Sequence, residues 1–389
     1  MRSPLSTFSA DAIAGLAGPA GLAARRAEAA ERFAGASLPT AAEEVWRYSR
    51  IDELDLNGFT PAAVATTVDH GELGRASILR GDDATRALGD LPESADALTW
   101  LHHVLAVDPI VIDVPAGVTV ADTVVVRHQG PADAVAAAPR LVVRAGADSE
   151  VRVVEVFEDG GAGLLLPVTH LSLAGAARVG YVGVQQLARA GWSIGTLDIE
   201  AEAQASVTAG LAGFGGDYTR VRTDCRLTGR GATGDLLAAY FGDGDQTLDY
   251  RTFQDHVAPD TTSNLLFKGA VSDRSRSVYT GLIRVAKGAR GTNAFQTNRN
   301  IKLSEEAWAE SVPNLQIENN DVHCSHASAV GPIDEEQRFY LESRGVPTRV
   351  AERLIVAGFF AEVFDKLPAN DLRPALDAAV AAKLSAVLA

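Results

Sequence analysis

The chain has 389 residues, 47% of them hydrophobic and 22% charged, with a formal net charge of −15 and a mean hydropathy of +0.04. That length holds one large domain or two to three ordinary ones. So acidic a chain is ill suited to nucleic acid or to an anionic membrane surface, since both call for clustered Lys and Arg.

Residues 1–8 contain no apolar leader core. No apolar stretch approaches the length of about 20 residues that spans a bilayer. The expectation is a cytoplasmic protein with no membrane insertion. The two cysteines, Cys225 and Cys324, lie far apart. A disulfide scaffold is not indicated for so long and cysteine-poor a chain, which leaves Cys324 available as a thiol.

Residues 1–104 read as a mostly helical region. Ala, Arg and Glu stand at helical spacing over residues 23–34, with Gly35 as the stop. Pro39-Thr40 predicts a second start, with Thr40 as N-cap and Glu43 completing a capping box. Glu44-Val45-Trp46-Arg47-Tyr48 then leads into polar sequence around Asn57-Gly58.

From residue 105 to 328 the period changes. Short alternating or β-branched runs appear, such as Arg140-Leu141-Val142-Val143-Arg144 and Glu150-Val151-Arg152-Val153-Val154-Glu155-Val156. Gly and Asp punctuate them, at Gly146, Asp159-Gly160-Gly161, Gly175 and Gly242-Asp243-Gly244. This is an all-β texture, and too long for one sandwich. A parallel β-solenoid is the economical arrangement, because each coil buries its neighbour and the core grows in one dimension. No strict internal repeat stands out.

Residues 329–389 return to helix. Asp334 predicts a cap for Glu335-Glu336-Gln337-Arg338-Phe339-Tyr340-Leu341, with Gly345 and Pro347 as the stop. Thr348 predicts the next cap. Val350, Leu354, Ile355, Phe359, Val363 and Leu367 form an apolar stripe on the helix that follows. A third helix carries Leu376, Val380, Leu384 and Leu388 four apart. Such stripes are ordinarily core, though appended helices can also present a face to a partner.

One run stands out chemically: Asp321-Val322-His323-Cys324-Ser325-His326. Thiolate and imidazole are usual ligands for zinc and iron–sulfur chemistry. If the run is a strand, Cys324 and His326 point to one side and His323 to the other. That is half a site, and the remaining ligands must come from elsewhere in the fold or from another subunit. The plainer reading is that cysteine packs as a small apolar residue, which is how Cys225 reads too.

Other chemistries are absent. There is no Gly-x-x-x-x-Gly-Lys-Ser/Thr phosphate loop, no dinucleotide fingerprint, no Gly-x-Ser-x-Gly elbow and no His-Glu-x-x-His helix. Asp243, Asp245 and Asp249 could serve as paired acids of a glycosidase, although such clusters are usually solvated turns.

From His256 onward the chain resembles the SufD subunit of the SUF iron–sulfur cluster assembly system, in the SufB/SufD family. The likeness rests on His256-x-Ala258-Pro259-x-Thr261-x-Ser263-Asn264, Lys268-Gly269, Gln296-Thr297-x-x-Asn300 and Pro313-Asn314-Leu315-Gln316-Ile317. It continues through the Cys324-Ser325-His326 element, Asp334-Glu335-Glu336, Phe339-Tyr340-Leu341 and Ser343-Arg344-Gly345. Glu44-Val45-Trp46-Arg47-Tyr48 resembles an N-terminal element of the same family. His323 stands where relatives commonly have lysine, and Ala327 where many have glycine.

The resemblance implies a mainly β fold: a right-handed parallel β-helix core flanked by helical N- and C-terminal regions. It implies a SufB-like β-helix paralogue and a SufC-like ABC ATPase as partners, the latter docked on the C-terminal helices. ATP would be bound only by that ATPase, and this chain would not be an enzyme. It further implies that Cys324 and His326 contribute to iron acquisition or nascent cluster assembly at the interface with the paralogue, transiently and with ligands shared. A carbohydrate-active β-helix enzyme and a purely architectural subunit stay open as alternatives.

Overall fold

The computed structural model describes residues 6–387 apart from 17 and 94, so residues 1–5 and Leu388 of the readings above lie outside it. Residues 110–331 wind into a parallel solenoid of eight coils, each contributing one strand to each of two sheets. Sheet 1 runs through Ile110–Val114, Arg140–Ala145, Val168–Leu173, Trp192–Ala201, Tyr218–Leu227, Thr247–His256, Arg276–Val285 and Trp308–Ile317. Sheet 2 runs through Val124–His128, Glu150–Phe157, Arg178–Gln185, Ser206–Gly213, Thr233–Gly242, Thr262–Val271, Thr292–Lys302 and Val322–Gly331.

Alternation along each strand sends every second side chain inward, and stacking lines these up in rows. One row in sheet 1 reads Val114, Ala145, Leu173, Ala201, Leu227, His256, Val285, Ile317. Its first seven members are at most 3% exposed, and Ile317 is 42% exposed. Successive partners in this sheet lie between about 26 and 32 positions apart. That drift in coil length hides the repeat in the sequence.

The two ends of the solenoid differ. At the start, antiparallel strands Ser77–Leu79 and Thr66–Asp69 pair with the first strand of each sheet. Helices Ala20–Gly35 and Ala97–Leu105 pack beside them on Phe8, Phe33, Trp100, Leu101 and Leu164. The N-terminal region thus mixes helices with short strands that form only by pairing with the solenoid. At the other end, Trp308–Ile317 and Val322–Gly331 are each paired on one side only among the described residues.

The capping box predicted at Thr40 is half made. Glu43 Oε1 accepts from the Thr40 N–H at 2.9 Å, but a turn and a single 3-10 helix, Glu44–Trp46, follow. Residues 44–50 instead form a strap along the outer face of sheet 1. Arg220 stacks on Trp46 and donates to Val45 O at 2.8 Å. Arg251 donates to Arg47 O, and Tyr48 lies against Trp308. Both arginines are buried and share the buried carboxylate of Asp249.

The C-terminal helices Thr348–Phe364 and Arg373–Val387 cover the outer face of sheet 2. The buried side of the first is Ala351, Val356, Phe360, Val363 and Phe364. The predicted stripe therefore splits, with Val363 and Leu367 buried and Val350 and Leu354 facing solvent. Asp334 caps its helix as expected, accepting from the Glu336 and Gln337 N–H groups. Thr348 does not cap, because the helix starts behind Pro347. Buried Lys268 ties Thr348–Phe364 to the solenoid, donating to Phe359 O and pairing with Glu362. Lys383 and Arg189 share buried Asp243, which fixes the last helix in the same way.

Candidate functional site at the open end of the solenoid

Cys324 and His326 lie in the last strand of sheet 2 and end two inward rows. The first row reads Val151, Val179, Val207, Gly234, Ser263, Ala294, Cys324. The second reads Val153, Tyr181, Ala209, Leu236, Leu265, Gln296, His326. In every earlier coil these positions are core. In the last coil nothing among the described residues stacks on them, and Cys324 is half-buried and His326 exposed. The two residues are two apart on one strand, which sets their Cα atoms roughly 7 Å from each other. His323 points to the outer face, in register with Asn293.

The surroundings are partly apolar. Cys324 packs with Val322 against Ile283, Val285, Ala289 and Ala294. That burial pushes its thiol pKa up, and a backbone hydrogen bond with Ala294 works the other way. A partner cation or a metal would have to draw the proton off. Across the opening, Leu315 and Ile317 of sheet 1 are exposed, as is Val330 beyond His326. Among the described residues no three His, Cys, Asp or Glu side chains gather as a metal site. A thiol and an imidazole on one face of the last strand are what this chain brings together.

Behind the opening the interior turns polar. Asn298 donates to Tyr240 OH, Tyr240 OH to Asn300 Oδ1, and Asn300 to Asn298 Oδ1, at 2.9 to 3.0 Å. His256 hydrogen-bonds Thr261 Oγ1 at 2.8 Å and Ser263 Oγ at 2.9 Å. This contact explains the spacing of that motif, and burial lowers the His256 pKa to about 4. Gln296, next to His326 in the row, is buried with neither amide atom partnered. The sequence reading singled out Gln296 and Asn300 only as part of a resemblance. The alternation Gln296, Asn298, Asn300 is the signal that placed a polar row inside.

The other candidates fall elsewhere. Cys225 is in the core, its thiol pushed up to about 12 by burial. Asp243 is held by Arg189 and Lys383, Asp249 by Arg220 and Arg251, and Asp245 by Arg274 at the surface. Each carboxylate faces its own cation, so they do not make the pair of acids a glycosidase requires. Helix Glu335–Ser343 buries none of its residues and leaves Phe339 71% and Tyr340 59% exposed. No helix among the described residues is long and apolar enough to cross a membrane.

A family model described as SUF system FeS cluster assembly, SufBD core domain, matches residues 126–359. An iron–sulfur cluster assembly SufBD family protein of Mycobacterium tuberculosis is 32% identical over 367 residues, covering 88% of each chain. The iron–sulfur cluster assembly protein SufD of Escherichia coli is 35% identical over 171 residues, 44% of this chain and 40% of that one. SufD of Bacillus subtilis is 35% identical over 158 residues, 41% of this chain and 36% of that one.

Proposed function

This chain belongs to the SufBD family of SUF iron–sulfur cluster assembly proteins, and from that premise we propose that it is a non-catalytic, SufD-like subunit of a cytoplasmic assembly complex. Its open end receives a SufB-like solenoid. Cys324 and His326 then supply two ligands to iron or to a nascent cluster, which is the cargo of the complex, and the partner supplies the rest. The observation that carries this reading is the pair of inward rows ending uncovered at Cys324 and His326, beside exposed Leu315, Ile317 and Val330. An uncovered row of core positions and two unpaired strand edges are stable once another β-surface lies on them.

The C-terminal helices dock a SufC-like ATPase. Phe339, Tyr340, Val350 and Leu354 are exposed on adjoining helices, in an amount that suits a partner surface. Lys268–Glu362 and Lys383–Asp243 tie these helices to the solenoid. ATP-driven movement of the partner therefore reaches the solenoid as a rigid-body displacement, opening the interface where Cys324 stands.

Mild affinity purification of the tagged chain from its own cells tests the partners, and cluster formation by the Cys324→Ser and His326→Ala complexes tests the ligands. Co-purification of a second solenoid and an ABC-type ATPase, with cluster formation lost in both variants, is the expected result. Normal cluster formation in the double variant at normal complex yield leaves an architectural subunit, with Cys324 and His326 as packing. A chain that purifies alone removes the partner argument.

A further inference from the structure

Far from the open end, a cavity of about 730 Å³ lies between the outer face of sheet 1 and the N-terminal region. Its floor is two outward rows of the sheet: Arg140, Val168, Thr196, Arg222 and, one step along the strands, Val142, His170, Asp198, Asp224. Helix Ala97–Leu105 roofs it together with Leu88, Asp90, Pro92 and Ala95. The volume falls in the range of small-molecule sites.

The charges at one end of this cavity are unbalanced. The Arg140 Nε is buried and has no hydrogen-bond partner, and no carboxylate pairs with this guanidinium among the described residues. Its one polar contact among the described residues is with neutral His102, whose Nε2 lies 3.4 Å from Nη1. His102 Nδ1 is engaged by Leu166 O at 2.7 Å, so it donates there and Nε2 is left to accept. Burial together with the Arg140 charge holds His102 near a pKa of about 3 and His103 near about 2, and lowers His170. Arg25, bound to the Gly89 and Asp90 carbonyls, adds a second like charge nearby. At the other end Arg222 is already paired with Asp224 at 2.6 Å. Arg140 is part-buried, and the opposing charge that acts on it, Asp198 on the cavity floor, does so without pairing; a cation so placed is costly unless an anion comes into direct contact with it.

We propose that this cavity is a binding site for a small organic anion, whose carboxylate or phosphate is held by Arg140 and whose apolar body lies on Leu166, Val168 and Ile194. Guanidinium recognises either oxyanion by paired charge-assisted hydrogen bonds. The apolar walls select a molecule with a hydrocarbon or ring portion over a bare inorganic ion. Arg140 and Arg222 stand three strand spacings apart, about 14 Å, so a ligand with a single anionic group engages only the Arg140 end. Nothing in this inference depends on the assembly role, and the site is remote from Cys324.

The test is binding of phenyl phosphate and of benzoate to the full chain, with inorganic phosphate and benzyl alcohol as controls. It is read by calorimetry and by the NMR resonances of His102, His103 and His170. At least one of the two aromatic anions is expected to saturate and to move those histidine signals, and which one binds identifies the oxyanion. Arg140→Gln should weaken binding more than about tenfold, and Arg140→Lys should restore part of it. Binding of inorganic phosphate alone, binding unaffected by Arg140→Gln, or histidine signals unmoved in the wild-type chain at millimolar anion each overturns the proposal. The wild-type histidine measurement decides the matter even if Arg140→Gln fails to fold.

Discussion

The first and last coils of this solenoid share one architecture and finish it in opposite ways. At the start, two antiparallel strands close both sheet edges and a helical layer covers them. Among the polar groups buried there, Glu155 accepts from Tyr181 OH at 2.7 Å and from Thr169, and hydrogen-bonds His128 at 2.9 Å. At the end the edges are bare among the described residues, and inward-facing atoms of Gln296 and Ser311, in the last two coils, have no partner there. Unpaired edges and orphaned polar atoms raise the free energy of an isolated chain. Orphaned polar atoms occur in the second coil as well, at Arg140 and Ser149, so it is the pair of bare edges that distinguishes the end where Cys324 and His326 sit.

The largest expected difference between the ends is in packing. Leu173 and Ile317 occupy the same inward row. Leu173→Ala in the closed part should cost about 2–5 kcal/mol by the usual cavity penalty. Ile317→Ala should cost less than about 1 kcal/mol in the isolated chain, because its side chain is already partly in water. Urea denaturation of both variants gives the comparison. Equal losses would mean that the last coil is covered in the isolated chain, by a second copy for instance.

The next effect is one of pH. The folded-state pKa of His256 is about 4 against an ordinary value of 6.5. Between these values the unfolded chain binds the proton and the folded chain does not, so stability rises with pH across that window and is lost as pH falls. The His256 share is roughly 3 kcal/mol. His102 and His103 at the closed end add slope of the same sign down to about pH 3 and 2. Plots of denaturation free energy against pH should therefore be shallower between pH 6.5 and 4 for His256→Gln than for the wild-type chain. Parallel plots would show that His256 is protonated in place, and the hydrogen bonds to Thr261 and Ser263 would need another account.

Gln296→Leu is smaller and opposite in sign. Replacing an amide that has no partner with an apolar group of similar volume should stabilise the chain by about 1–3 kcal/mol. A loss of stability would mean that ordered water satisfies the amide in solution.

Much of this was legible in the sequence. Period-two runs such as Arg140–Ala145 announced strands, and Gly and Asp between them announced the turns, because alternation and turn chemistry are local. The common facing of Cys324 and His326 was legible for the same reason, since facing is set two residues apart. What was not legible is set by stacking. The Cys324 row becomes a row only through pairing partners roughly 26 to 32 residues away. The side of helix Thr348–Phe364 that is buried depends on the shape of sheet 2, so Val350 and Leu354 read as core and are exposed. The cavity above Arg140 joins segments from residue 43 to residue 253 and has no sequence signature.

The smallest expected effect on stability belongs to the residues on which the proposed function rests. His326 is exposed and Cys324 only half-buried, and neither has a hydrogen-bonded side-chain partner among the described residues. Cys324→Ser and His326→Ala should each change the unfolding free energy of the isolated chain by about 0.5 kcal/mol or less. A tighter packing role, with the Cys324 side chain closed off from water against Ile283 and Val285, predicts more, because the serine hydroxyl would then be desolvated. The two explanations of the motif therefore separate on the isolated protein, before any partner is added. A near-zero change combined with lost cluster formation in the complex assigns these residues to chemistry. A loss of about 1–3 kcal/mol in Cys324→Ser assigns the cysteine to the core, and His326 alone would then remain as a candidate ligand.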